Sequence, residues 1–149
     1  MATQTLAKAL AGHRLIALDS CVLIYHLEQH ECFAPAAGEV LSHIQQGKAQ
    51  AVLSTLVLLE VQVGPYRKQA NDLADYYYAL LGRLANCHWI PVSYEIADRA
   101  AQLRAEHKLA APDAIHLATA AESSATLFVT NDRSLPAIPG LAYAIVGGN

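Results

Sequence analysis

Short, continuously apolar runs recur along this chain, and each of the first three leads into a stretch with helical spacing or helix-capping residues. The runs are Leu15-Ile-Ala-Leu18, Ala49 to Leu53, Trp89-Ile-Pro-Val92, Thr126-Leu-Phe-Val-Thr130 and Leu141 to Val146. A strand open to water on one face alternates apolar and polar residues, whereas a strand covered on both faces does not. Strands of the second kind, interleaved with helices, assemble into a parallel sheet. The expected fold is α/β in three layers, a central parallel sheet of four to five strands with helices on both faces. Pro91 cannot donate to a ladder, which argues for an edge position for the third strand.

Ser20 can cap a helix that carries Val22, Leu23 and Leu27. Pro35 opens the next, with Val40, Leu41 and Ile44 on one face, and Gly47 closes it. Ser54 or Thr55 caps a short helix holding Leu58, Leu59, Glu60 and Val63, and Gly64-Pro65 is expected to stop it. A longer helix is expected from about Arg67 to Leu84, with Leu73, Tyr77, Leu80, Leu81 and Leu84 at helical spacing. Another covers Tyr94 to His107, and Pro112 opens one from Asp113 to about Ser123. Residues 1–13 read as a short N-terminal extension, residues 14–149 as one domain, and Gly147-Gly-Asn149 as its tail. The extension carries Lys8 and His13 but no long apolar stretch, which speaks against a signal peptide.

Composition narrows the functional classes. The chain has 149 residues, 54% hydrophobic and 15% charged, which excludes a disordered polyelectrolyte. A formal net charge of −3 gives no general attraction to nucleic acid, so any such site needs a local patch or a bound cation. Cys21, Cys32 and Cys87 are odd in number and lack CxxC spacing, which fits a reducing compartment such as the cytoplasm. No apolar run approaches the roughly 18–20 residues of a membrane span.

Four acids then stand out. Asp19 closes the first strand, and Asp132 lies two residues past Thr130, at the end of the clearest strand. In open parallel sheets ligands gather beyond the carboxyl ends of the strands. Asp113 lies in the first turn of its helix, a position that capping and the helix dipole also explain. Glu60 is flanked by Leu58, Leu59, Val61 and Val63, where a carboxylate either needs a partner or points to solvent. Two carboxylates ~6 Å apart repel by roughly 3 kcal/mol at an effective dielectric of 20. Four together must raise their pKa values, recruit basic partners or bind a cation. All-oxygen ligands suit magnesium or manganese, and such ions serve phosphate-ester hydrolysis.

The residues around these acids resemble the motifs of PIN domains. Leu18-Asp-Ser-Cys-Val-Leu-Ile-Tyr-His-Leu27 is similar to their opening motif, and Ser54-Thr-Leu-Val-Leu-Leu-Glu60 to their second. Pro112-Asp-Ala-Ile-His-Leu-Ala-Thr-Ala120 and Thr130-Asn-Asp-Arg-Ser-Leu135 are similar to the third and fourth. The resemblance covers about residues 14 to 146, and the compact length resembles the VapC-type toxins. It implies an RNase-H-like parallel sheet and a magnesium- or manganese-dependent endoribonuclease inhibited by a small antitoxin; a homodimer is expected too. Asp19, Glu60, Asp113 and Asp132 match the family acids, as catalytic and metal-binding residues. Ser20 matches the hydroxyl residue after the first acid, and Thr130 and Asn131 lie where a polar residue often stands near the metal. Cys21 departs from the pattern, since many members carry Asn there. The rival from another class is a PIN-like module that binds RNA or protein without cutting.

Other residues carry two readings each. His26 and His30 at i, i+4 could share a metal but have no third ligand, and solvent-facing residues near a helix end explain them as well. His116, three residues after Asp113, is either a packing histidine or a member of the site. Arg133, Arg104 and Lys108 are candidate RNA contacts or ordinary surface charges. Tyr76-Tyr-Tyr78 cannot all face one core, so one buried ring between two exposed ones is one expectation and a partner surface is another.

Overall fold

Among the described residues the chain forms five short strands and seven helices, with two helices between successive strands except the last two. The structure, a computed structural model, describes residues 2–147; Met1 and the expected tail residues Gly148 and Asn149 lie outside the described residues. The strands are β1 (Leu15–Leu18), β2 (Gln50–Ser54), β3 (Cys87–Ile90), β4 (Leu127–Thr130) and β5 (Ala142–Ile145). The helices are α1 (Ala2–Leu10), α2 (Ser20–Leu27), α3 (Ala34–Gln45), α4 (Leu56–Arg67), α5 (Asn71–Gly82), α6 (Tyr94–His107) and α7 (Ala111–Glu122). The strands form one sheet in the order β3-β2-β1-β4-β5, every neighbouring pair parallel. This is the expected three-layer α/β arrangement, and β3, followed by Pro91, is at an edge.

Successive strand residues enter two different cores, which is why the strands show no polar alternation. Ile16, Leu18, Ala51, Leu53, Leu127 and Val129 pack against helices α1 to α5. Ala17, Val52 and Phe128, one residue out of step, pack against Ile96, Leu103 and Leu117 of α6 and α7. Leu6 and Leu10 of α1 lie in the first of these cores.

The structure corrects the helical boundaries between residues 56 and 84. Gly64-Pro65 does not stop α4, which continues to Arg67. Pro65 lacks the N–H that would bond Val61, but both side chains are buried and their packing offsets that loss. The Lys68 N–H still bonds the Gly64 carbonyl at 3.2 Å. The single helix expected from Arg67 to Leu84 is instead interrupted, and α5 begins at Asn71. Gln69 adopts a left-handed φ of 56°, which turns the chain back. The buried Gln62 side chain then donates to the Ala74 carbonyl at 2.8 Å and ties α5 to α4. A left-handed glutamine leaves no mark in a sequence, because glycine or asparagine ordinarily takes that conformation. Leu73, expected inward, is exposed, while Ala74, Tyr77 and Leu81 make the buried face. Tyr77 is buried between the exposed Tyr76 and Tyr78.

Leu117, fully buried, seats α7 on the sheet. Leu117→Ala should cost about 2–5 kcal/mol through lost burial and the cavity left behind. A urea titration checks this as a lower midpoint with an unchanged slope.

Candidate functional site

The sheet order creates the site. The chain runs from β1 outward to β2 and β3, then returns to lay β4 on the other side of β1. The carboxyl ends of β1 and β4 therefore flank the point where the strand order reverses, the position where open parallel sheets place ligands. Leu18 pairs with Val129, so the residues that follow them, Asp19 and Thr130, emerge side by side. The Thr130 hydroxyl donates to Asp19 Oδ2 at 2.7 Å, and the Asp19 N–H donates to the Val129 carbonyl at 3.0 Å. Asp19, not Ser20, is the N-cap of α2: its Oδ1 accepts from the Ser20 N–H at 2.8 Å. A carboxylate accepts this bond as well as a hydroxyl would, and it sits one residue nearer the strand.

The other acids converge from three further elements. Glu60 comes from α4 and is half-buried rather than directed to solvent; its Oε1 accepts from His116 Nε2 at 2.5 Å. That bond, aided by the His116 charge and by the Ser20 hydroxyl, holds the Glu60 carboxyl below its ordinary range, against the opposing effect of burial. Asp113 stands in the first turn of α7, three residues beyond the N-cap position held by Ala110. Burial pushes its carboxyl upward, and the charges of Asp19, Asp132 and Glu60 add to the rise while His116 opposes it. Asp113 thus feels all three other acids, which is the electrostatic mark of one shared site. Asp132 follows β4, and the Ser134 hydroxyl and backbone N–H both donate to its Oδ1, at 2.6 and 2.9 Å, holding its carboxyl low.

The supporting residues divide. Asp19, Thr130 and Asp132 share one cleft, His116 links Glu60 to Asp19, and Asp113 is connected to them electrostatically. Asn131 borders the cleft, and its amide donates to the Tyr25 hydroxyl at 2.9 Å. Asp19, Cys21, Tyr25, Thr130, Asn131 and Asp132 line an open cleft of about 370 Å³. Cys21, pushed up to about 12 by burial and then by Asp19, stays a neutral thiol at ordinary pH. Arg133 is exposed immediately after Asp132. Arg104, in the last turn of α6, and Lys108, at its C-cap, are exposed, and Arg104 Nε donates to the Leu109 carbonyl at 2.9 Å. His30 is no metal ligand through Nδ1, which accepts the Cys32 and Phe33 N–H groups.

Sequence reasoning left one participant open between two readings and missed another. The sequence favoured His116 as a packing residue, yet its ring lies against Glu60 with Asp19 Oδ1 3.9 Å away. Its spacing of three from Asp113, on a helix whose start is marked by Pro112, was the available signal. Ser134 carried only a local one, Asp followed two residues later by a short hydroxyl side chain.

The oxygen donors suit a hard divalent cation such as magnesium or manganese. Among the described residues, no three His, Cys, Asp or Glu side chains are gathered into a ready-made cage. Magnesium retains several waters and takes one or two carboxylates directly, so this looser arrangement fits it.

A model of the PIN domain matches residues 16–141. The chain belongs to the PIN domain family. No curated protein sequence matches it significantly. Among solved structures it is similar to a toxin–antitoxin complex from Klebsiella pneumoniae, with 26% identity and a TM-score of 0.65 over 85% of this chain and 95% of that one. VapBC2 from Rickettsia felis, bound to a DNA fragment from its promoter, shares the fold at 19% identity and a TM-score of 0.66, over 88% of this chain and 98% of that one. So does VapC20 of Mycobacterium tuberculosis, a sarcin–ricin loop cleaving toxin, at 15% identity and a TM-score of 0.62, over 76% of this chain and 86% of that one. The resemblance of this PIN domain to VapC-type toxins is thus found in its structure as well as in its motifs.

The raised Asp113 carboxyl fixes the sign of a stability effect. A carboxyl whose folded pKa is raised destabilises the fold above that pKa. The cost vanishes below the ordinary value of 3.8, where folded and unfolded states are both protonated. Asp113→Asn should raise the metal-free Tm at pH 7 by a few degrees, and the gain should fade toward about pH 3. Thermal denaturation followed by circular dichroism across that range checks the effect.

Proposed function

We propose that this PIN domain is a magnesium- or manganese-dependent endoribonuclease, the toxin of a toxin–antitoxin pair. The observation that carries the reading is the approach of Asp19, Glu60, Asp113 and Asp132 beyond β1 and β4, with Asp113 raised by burial and then by the charges of the other three. Such a cluster is relieved by a divalent cation. These four acids would hold the ion, which when bound supplies an activated water and neutralises charge developing on a phosphodiester.

The chain's own residues prepare that arrangement. Thr130 fixes one oxygen of Asp19, and the Ser20 N–H fixes the other. His116 and Ser20 hold Glu60 ionised, and Ser134 does the same for Asp132. Asp113, pushed up by burial and by the neighbouring acids, is the carboxyl we assign to exchange a proton with the reacting groups. Water adds to phosphorus as the bond to the 3′ oxygen breaks, leaving 5′-phosphate and 3′-hydroxyl ends. Arg133, Arg104 and Lys108 are the proposed contacts to RNA phosphates.

Partner surfaces support the rest of the reading. Leu23, Leu27, Leu41, Leu80, Leu81 and Leu84 line an apolar groove of about 410 Å³ between α2, α3 and α5, suited to an amphipathic segment of an antitoxin. Leu59, Val63 and Tyr66, at i, i+4 and i+7 on α4, are exposed and suit a homodimer contact. Cys21, Cys32 and Cys87 are all free thiols, in keeping with the cytoplasm. No helix of the described residues is long and apolar enough to cross a membrane.

Asp19→Asn and Asp132→Asn should each lower magnesium-dependent cleavage of RNA by at least about 100-fold. Electrophoresis of an end-labelled RNA mixture measures it. Undiminished cleavage in both variants would sink the nuclease reading, and RNA binding without cleavage by the unaltered chain would assign it to a binding module instead.

A further inference from the structure

His116 stands where the two helical layers meet beyond the carboxyl end of β1, with Asp19 Oδ1 3.9 Å from its Nε2. Its own helix, α7, belongs to the core on one face, with Ala114 and Leu117 beside it. Glu60 belongs to α4, whose Val57 and Val61 lie in the core on the other face. The hydrogen bond from His116 Nε2 to Glu60 Oε1 closes the gap between the layers. The imidazole is 3% exposed. Nε2 must carry a proton to donate to a carboxylate. Nδ1 is buried without a partner. A histidine kept only for packing gains nothing from an unsatisfied ring nitrogen, since apolar residues of similar volume avoid that cost. The partnered nitrogen faces only candidate site acids, Glu60 at hydrogen-bond distance and Asp19 beyond it.

The geometry points to His116 as a positioning residue for the divalent cation: by holding Oε1 of Glu60 it sets how that carboxylate faces the ion or its water shell. The inference rests on the metal-dependent reading above. His116 is not itself a ligand, because its Nε2 lone pair is replaced by the proton it donates and Nδ1 is enclosed. Groups that orient a ligating carboxylate in this way are worth about 10–100-fold in metal affinity.

The test is manganese binding to the full chain without RNA, followed by loss of the free-ion electron paramagnetic resonance signal. His116→Leu removes the donor and should weaken binding about 10–100-fold. His116→Gln keeps an N–H that can reach Glu60 and should stay within about threefold of the unaltered chain. Cleavage by the leucine variant should recover as manganese is raised, with KM for RNA unchanged. If His116→Leu does not fold, His116→Asn takes its place, since its shorter amide withdraws from Glu60, and the same loss is expected. Binding unchanged in the donor-free variant, or an equal loss in the glutamine variant, overturns the inference while the nuclease reading stands. An unaltered chain that binds no manganese overturns both.

Discussion

The pairing of β1 with β4 is the constraint on which the rest depends. Each strand reaches its carboxyl end at the same level, because Leu18 is in register with Val129. The next residues, Asp19 and Thr130, are joined by a hydrogen bond at 2.7 Å. The first helix after β1 begins on the same aspartate, so one side chain ends a strand, caps a helix and faces the cleft. The other acids arrive from α4, α7 and the loop after β4, all directed to the place where the strand order reverses.

Gathering four carboxylates there is unfavourable, and the structure distributes the cost unevenly. Glu60 and Asp132 are held ionised by donors, the first by His116 and Ser20, the second by Ser134. Asp113 accepts no such help beyond the opposing charge of His116 and is pushed up. Two environments for like groups in one site are what acid–base chemistry requires. A site of this kind gives up some stability for reactivity, and a bound cation would restore it.

Much of this was legible beforehand because it rests on local chemistry. Unbroken apolar strands such as Leu127–Thr130 implied a sheet covered on both faces, and the two cores confirm it. Pro91 implied the edge position of β3. The α4–α5 region was misread because Gly64-Pro65 is a strong local stop, and buried packing at Val61 and Pro65 overrode it. The real break, at Gln69, comes from a backbone conformation that glutamine does not advertise. Resemblance to the family motifs supplied the grouping of Glu60 and Asp113 with the strand-end acids, which neither residue's surroundings established alone.

The sequence by itself determined the layered sheet and the strand-end positions of Asp19 and Asp132. These follow from periodicity, turn chemistry and composition, which act over a few residues. Only the tertiary structure decided that Glu60 turns inward, that His116 lies against it, and that Asp113 feels three other charges. Those facts depend on residues distant in the chain: Glu60 and His116 are 56 apart, and Asp113 is 19 to 94 from the other three acids. Local preferences are blind at that range, because what decides there is where the sheet order sets two helices side by side.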